Sequence, residues 1–194
     1  MRFKTILFLL IFALPSLVLA RPIITDLSER KIDINANFTG KEILLYGTRV
    51  EAGQVVVVIR GPSGNFMVRK KERVAGMWIN TGSAKFYNVP QFYSIASSRE
   101  LSKLEAEKLL AELEIGFERQ KIASKTQDDP TPYKKALVAK LEKDELVDFD
   151  VLNLPFLEGT LFRTRIGFPA KVIPGTYTAE IYSFNEGQLL GMQS

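Results

Sequence analysis

Five β-branched residues stand in succession at Val55–Ile59, and this run constrains the fold more than any other segment. Side chains alternate across a strand, so an unbroken apolar run suits a central strand covered on both faces. Gln54–Arg60 is read as that strand. Upstream, Lys31–Phe38 alternates strictly, with Ile32, Ile34, Ala36 and Phe38 on one side and Asp33, Asn35 and Asn37 on the other. The pattern predicts a strand with one buried face. Glu42–Tyr46 follows as a second strand. Gly61–Asn65 predicts a loop, because Gly and Pro set turn backbones. Short strands are predicted at Phe66–Arg69, Val74–Ile79, Lys85–Tyr87 and Phe92–Ala96. Near the end, Leu161–Phe168 alternates, with Phe162, Thr164, Ile166 and Phe168 on one face and Arg163 and Arg165 on the other. Thr178–Phe184 then turns through Asn185-Glu186-Gly187, a three-residue loop, into Gln188–Leu190.

The middle of the chain has another character. Ala106, Leu109, Leu110, Leu113 and Phe117 recur at helical spacing and predict one amphipathic helix over about 102–123. Ser102 and Glu105 stand in capping-box spacing at its start. Thr131-Pro132 predicts the start of a second helix, running over about 133–145. The expected fold class is therefore mainly β with an α insertion: an immunoglobulin-like β-sandwich carrying a helical hairpin at about 98–149. The Cys…Trp…Cys mark of true immunoglobulin domains is absent.

Residues 1–20 read as a secretory signal: Arg2 and Lys4, the apolar run Ile6–Leu14, a break at Pro15-Ser16, then small residues at Val18 and Ala20. Ile6–Ala20 is shorter than the roughly 20 residues a spanning helix needs. Cleavage would start the mature chain at Arg21, so residues 21–194 are the expected exported domain. Loss of Arg2 and Lys4 would lower the formal charge from +4 to +2. A balance this near neutrality argues against nucleic acid as a partner.

The chain contains no Cys and no His. Disulfides, cysteine nucleophiles, Ser-His-Asp triads and His-ligated zinc or haem are thereby excluded. The acidic pairs Asp128/Asp129, Asp144/Glu145 and Asp148/Asp150 fit no recognisable motif. A Ser-Lys pair is conceivable at Ser97, Ser98 or Ser102 with Lys103, although Ser102-Lys103 is explained more simply as a helix start. No catalytic residue, metal or cofactor is expected. A carboxylate- or Ser-Lys-dependent periplasmic hydrolase and a structural envelope protein are the alternatives.

The densest charge is Arg69, Lys70, Lys71 and Arg73, with Arg60 upstream and Trp78 downstream. Such cations suit an anionic ligand, a partner or lipid headgroups. The plainer reading is an edge strand kept from pairing by its lysines. Trp78 is read with Phe86, Tyr87, Phe92 and Tyr93 as an aromatic cluster, either flooring a ligand groove or, more simply, filling the core.

Several segments together carry a resemblance: NFTGKEILLYG (37–47), VVVVIRGP (55–62), VRKKERVAGMWIN (68–80), VPQFYSIASSREL (89–101) and PGTYTAEIYSFNEGQLL (174–190). In these the chain resembles the alphaproteobacterial putative transmembrane protein family. The resemblance implies a signal peptide, an exported domain and a C-terminal membrane helix, and carries no catalytic residue. It also implies an accessory role beside an inner-membrane permease of the sulfite-exporter type. No apolar stretch of spanning length follows the leader within these residues. The expectation is a periplasmic domain, anchored to the inner membrane if a helix follows residue 194 and soluble otherwise.

Overall fold

The structure, a computed structural model, describes residues 23–49 and 52–194; the signal segment and the expected start at Arg21 lie outside them. Alternate residues of the β-branched run enter two different cores: Val55, Val57 and Ile59 one, Val56 and Val58 the other. The central strand is thus covered on both faces, as its composition requires.

The first half of the chain forms β1 (Ile23–Leu27), β2 (Gly40–Arg49), β3 (Gln54–Arg60), β4 (Ser63–Val74), β5 (Met77–Pro90) and β6 (Tyr93–Ser97). A helical region follows, containing α1 (Glu107–Glu112), the short strand β7 (Ala123–Lys125) and α2 (Thr131–Lys143). The chain then returns to strands β8 (Leu152–Asn153), β9 (Phe156–Leu157), β10 (Leu161–Pro169), β11 (Thr178–Asn185) and β12 (Gln188–Gln193). Three sheets result, ordered β1-β2-β10-β9, β12-β11-β3-β6-β8 and β4-β5-β7. The protein is mainly β.

The first two sheets share a core in which Ile43 and Leu45 of β2 and Phe162 and Ile166 of β10 meet Val55, Val57 and Ile59 of β3. Gly47 lies opposite Phe162 in the β2–β10 ladder. A Cβ on Gly47 would stand 2.8 Å from the Phe162 ring and 2.6 Å from the Ile24 carbonyl oxygen, so glycine admits the ring. The Gln193 side chain ties the two sheets at their edges, accepting from the Thr25 N–H at 3.1 Å and donating to the Thr25 carbonyl at 3.3 Å. On the other face of the middle sheet, Val56, Val58, Tyr93 and Ile95 pack against Leu110, Leu137 and Leu141 of the helical region and Phe86 of β5.

Several expectations are corrected. Lys31–Phe38 is not a strand. Its alternation holds in part: Ile32, Ile34 and Phe38 are half-buried against the core, but Ala36 is exposed in a turn, and the segment packs without joining a ladder. Ser63–Asn65 belongs to β4 rather than a loop, and Val74–Ile79 is interrupted by a turn at Ala75-Gly76. Both turn residues have positive φ, 49° and 85°, the geometry of a two-residue hairpin loop. Glu186-Gly187 turns likewise, with φ of 46° and 75°, so the last hairpin has a two-residue loop, not three.

The single helix expected over 102–123 is broken into 3₁₀ turns at Leu101–Leu104 and Phe117–Arg119 flanking α1. Positive φ at Glu105 ends the first 3₁₀ turn and removes the Ser102/Glu105 capping box, and positive φ at Glu114 and Gly116 separates α1 from the second. The apolar stripe is still used, with Ala106, Leu110 and Phe117 buried. The second helix begins two residues earlier than expected, at Thr131.

At the end of α2, the Asp144 carboxylate accepts hydrogen bonds from Lys140 and, at 2.5 Å, from Lys171 in the segment after β10. The Lys140 bond, then the Lys171 bond, hold its carboxyl below the usual carboxylate range. A carboxylate depressed in the folded state stabilises above its unfolded pKa, and that contribution disappears as pH falls through the folded value. Asp144→Asn should therefore lower the melting temperature at neutral pH, and the gap should close below about pH 4, the ordinary carboxylate range. A gap that persists unchanged in acid would show that Asp144 acts through something other than its charge.

Candidate functional site

The β4–β5 hairpin is the element least used by the fold. At its base Phe66 and Val68 pack against the core, and Ala84, Phe86 and Val89 are buried. Beyond Gly82 the support stops: from Lys71 to Asn80 every residue is exposed except Glu72, which is half-buried. Ten residues thus form a two-stranded ribbon without a covering layer.

Ladder register sorts the cations between the ribbon's faces. Opposed residues of an antiparallel pair share a face, and alternate residues change face. Lys70 and Glu72 lie on the side facing the body, joined by an ion pair of 2.6 Å. Tyr133 and Asp128 stand beyond them, the tyrosine hydroxyl donating to the carboxylate at 2.9 Å. The other side carries Met67, Arg69, Lys71 and Arg73, with Trp78 opposite Arg73. Lys85 pairs with Met67 and with Lys125 of β7, extending the same face. A bulge at Thr81, between Gly82 opposite Lys70 and Asn80 opposite Lys71, shifts the register by one residue, and the faces of β4 continue to alternate through it.

The four clustered cations are therefore split three to one. Arg69, Lys71, Arg73, Lys85 and Lys125 form a row on one face, and among the described residues none has a carboxylate within salt-bridge distance. At about 3.3 Å per residue, Arg69 to Arg73 alone spans roughly 13 Å. Trp78 is 70% exposed and Met77 67%, which corrects the core reading of Trp78. Phe86, Phe92 and Tyr93 are buried and do fill the interior, whereas Tyr87 is half-buried on the side of Lys85, whose ammonium lies 5.0 Å from its ring centroid. Lys85 and Lys125 carried no signal in the sequence, because only strand pairing brings them to the row.

Arg60 is placed elsewhere. Its guanidinium makes an ion pair of 2.9 Å with Glu180 and donates to the carbonyls of Leu113 and Glu114 at 2.9 and 3.0 Å. These are the carbonyls just past α1, where a cation satisfies free acceptors and the helix dipole together. The Tyr93 hydroxyl accepts from the Gly116 N–H at 2.7 Å in the same junction. Desolvation raises the Tyr93 pKa, so the phenol stays neutral. Arg60 thus fastens the helical region to the middle sheet.

Several of the residues weighed for hydrolysis make local hydrogen bonds instead. Lys103 donates to Glu100 at 2.7 Å, the Ser98 hydroxyl to Gln54 at 3.0 Å, and the Ser97 hydroxyl to the Arg99 carbonyl at 2.5 Å. Asp129 accepts the Thr131 N–H at 3.0 Å, and Asp148 the Asp150 N–H at 2.9 Å. A cleft of about 430 Å³ opens between the first two sheets, lined by Ile32, Ile34, Ile43, Ile166, Phe168 and Tyr177. Its rim cations Arg30 and Lys31 are paired with Asp26 and Asp33.

Among the described residues no helix is long and apolar enough to cross a membrane. A family model described as putative transmembrane protein (Alph_Pro_TM) matches residues 22–194. No curated protein and no solved structure matches the chain.

Proposed function

The chain belongs to the putative transmembrane protein family, and we propose from that premise that it is an exported, non-catalytic binding domain working at the outer face of the inner membrane. The β4–β5 hairpin is its contact element. The observation that carries this reading is the row of cations on one face of an otherwise unsupported ribbon, without carboxylate partners among the described residues. Edge protection explains lysines along a strand. It does not explain an exposed Trp and Met at the same tip.

The strand order supports the immunoglobulin-like reading of the scaffold. β1-β2-β10-β9 facing β12-β11-β3-β6 follows the A-B-E-D and G-F-C-C′ orders of such sandwiches. On that reading the long hairpin is an insertion between C (β3) and C′ (β6), and the helical region a second insertion between C′ and D (β9). A permease, as the resemblance implies, or an anionic ligand is the partner this surface would serve. Sedimentation with membranes prepared from the source cells tests the proposal. The processed chain should pellet with them at low salt and be released by raised salt, since exposed charges are screened. Retention that ignores both salt and the loss of Arg69, Lys71 and Arg73 would place the contact elsewhere.

A further inference from the structure

We infer that the cationic face of the hairpin docks on an anionic phospholipid bilayer, lying along its surface with Trp78 at the headgroup–acyl boundary. This deepens the proposed function and rests on it. Charge complementarity selects the occupant. The cations do not converge on a point, as a site for a small anion would require; they run in a line of roughly 13 Å from Arg69 to Arg73 and continue through Lys85 and Lys125. A sheet of lipid phosphates presents a surface of matching extent.

The orientation follows from lengths. The polar band of one leaflet is roughly 5–8 Å thick, taking about 30 Å of hydrocarbon from 40–45 Å of bilayer. A ribbon inserted upright would leave Arg69 in bulk water when Trp78 reached the acyl boundary. Laid on its cationic face, it keeps all the cations at phosphate level and presents Met67 and Trp78, which share that face, to the interface. Trp is favoured there because its ring is apolar while its N–H remains hydrated. Val74 and Met77 at the turn, 48% and 67% exposed, oppose each other on the same side as Lys70 and Glu72 and lie outside this contact. Lys70 and Glu72 would stay on the side away from lipid, already paired with each other.

Trp78 is the only tryptophan in the sequence, so its emission reports this site alone. The experiment uses the processed chain at low salt with vesicles of phosphatidylglycerol and phosphatidylcholine in equal parts, and with phosphatidylcholine alone. The expected result is a blue shift with the anionic vesicles and none with the neutral ones. Arg69→Gln/Lys71→Gln/Arg73→Gln should weaken partition by about a hundredfold, at about fivefold per cation. Lys70→Gln on the opposite face should change it little. If the triple variant does not give the wild-type circular dichroism spectrum, Lys85→Gln/Lys125→Gln tests the packed end of the same row and should weaken partition by about 25-fold.

An unshifted Trp78 with anionic vesicles overturns the inference. So does an equal shift with neutral vesicles, or the same shift produced by inorganic phosphate. Retention on native membranes without binding to lipid vesicles would make the partner a protein, leaving the proposed function standing without this inference. Failure on both would remove both.

Discussion

Converting Arg69, Lys71 and Arg73 together to glutamine should reduce membrane binding by about a hundredfold while leaving the folded state nearly unchanged. Each basic group held near an anionic surface contributes about 1 kcal/mol, and three such losses multiply. The same substitutions remove no ion pair found among the described residues and fill no core position, because all three side chains are exposed. Exposed replacements of this kind shift stability by about 0.5 kcal/mol or less each. Titration with native membranes gives the first quantity and urea denaturation the second. A variant that binds normally would return these residues to protecting a strand edge. A variant that is much less stable would show that they hold the hairpin rather than serve it.

Phe162→Ala should have the opposite signature, a large loss of stability with the binding surface chemically intact. Phe162 is fully buried in the core between the first two sheets and meets Phe156 edge-to-face with centroids 6.2 Å apart. Gly47 lies opposite it and offers no side chain of its own to fill the void. Removing a large aromatic from such a site costs about 3–5 kcal/mol. Urea denaturation should show a lower midpoint at an unchanged slope, the mark of lost stability rather than a changed unfolded state. A loss below about 1 kcal/mol would mean that the two sheets collapse onto the gap more freely than their packing suggests.

Much of the scaffold was legible because its signals are local and strong. Val55–Ile59 announces a doubly covered strand, and the alternation of Leu161–Phe168 survives residue by residue in β10, where Phe162, Thr164, Ile166 and Phe168 are all buried. Other elements were misread for identifiable reasons. Ile32, Ile34 and Phe38 reach the core from a packed irregular segment, while Ala36 is turned out to solvent, which the alternation alone does not reveal. The stripe from Ala106 to Phe117 reaches the core as expected, but Arg60 and Tyr93 hold the backbone at Leu113, Glu114 and Gly116 and end the helix early. That tie joins residues 53 and 54 positions apart, far beyond any helical window.

The candidate site was half visible. The cluster Arg69–Arg73 was plain, but the turn at Ala75-Gly76 was hidden in an apolar run that reads as one strand. Without that turn Trp78 could not be placed opposite Arg73, and it was assigned to the core. Nor could Lys70 be separated from its neighbours, or Lys85 and Lys125 joined to them, since those relations depend on register across strands.

Hydrogen exchange at the backbone amides of residues 70–81, with and without native membranes, tests the central claim most directly. A two-stranded ribbon without a covering layer is marginal in water, so these amides should exchange fast in the free chain while those of β3 are protected. Binding should slow them selectively and leave β3 unchanged. Protection already present in the free chain, or exchange that membranes do not alter, would contradict the account.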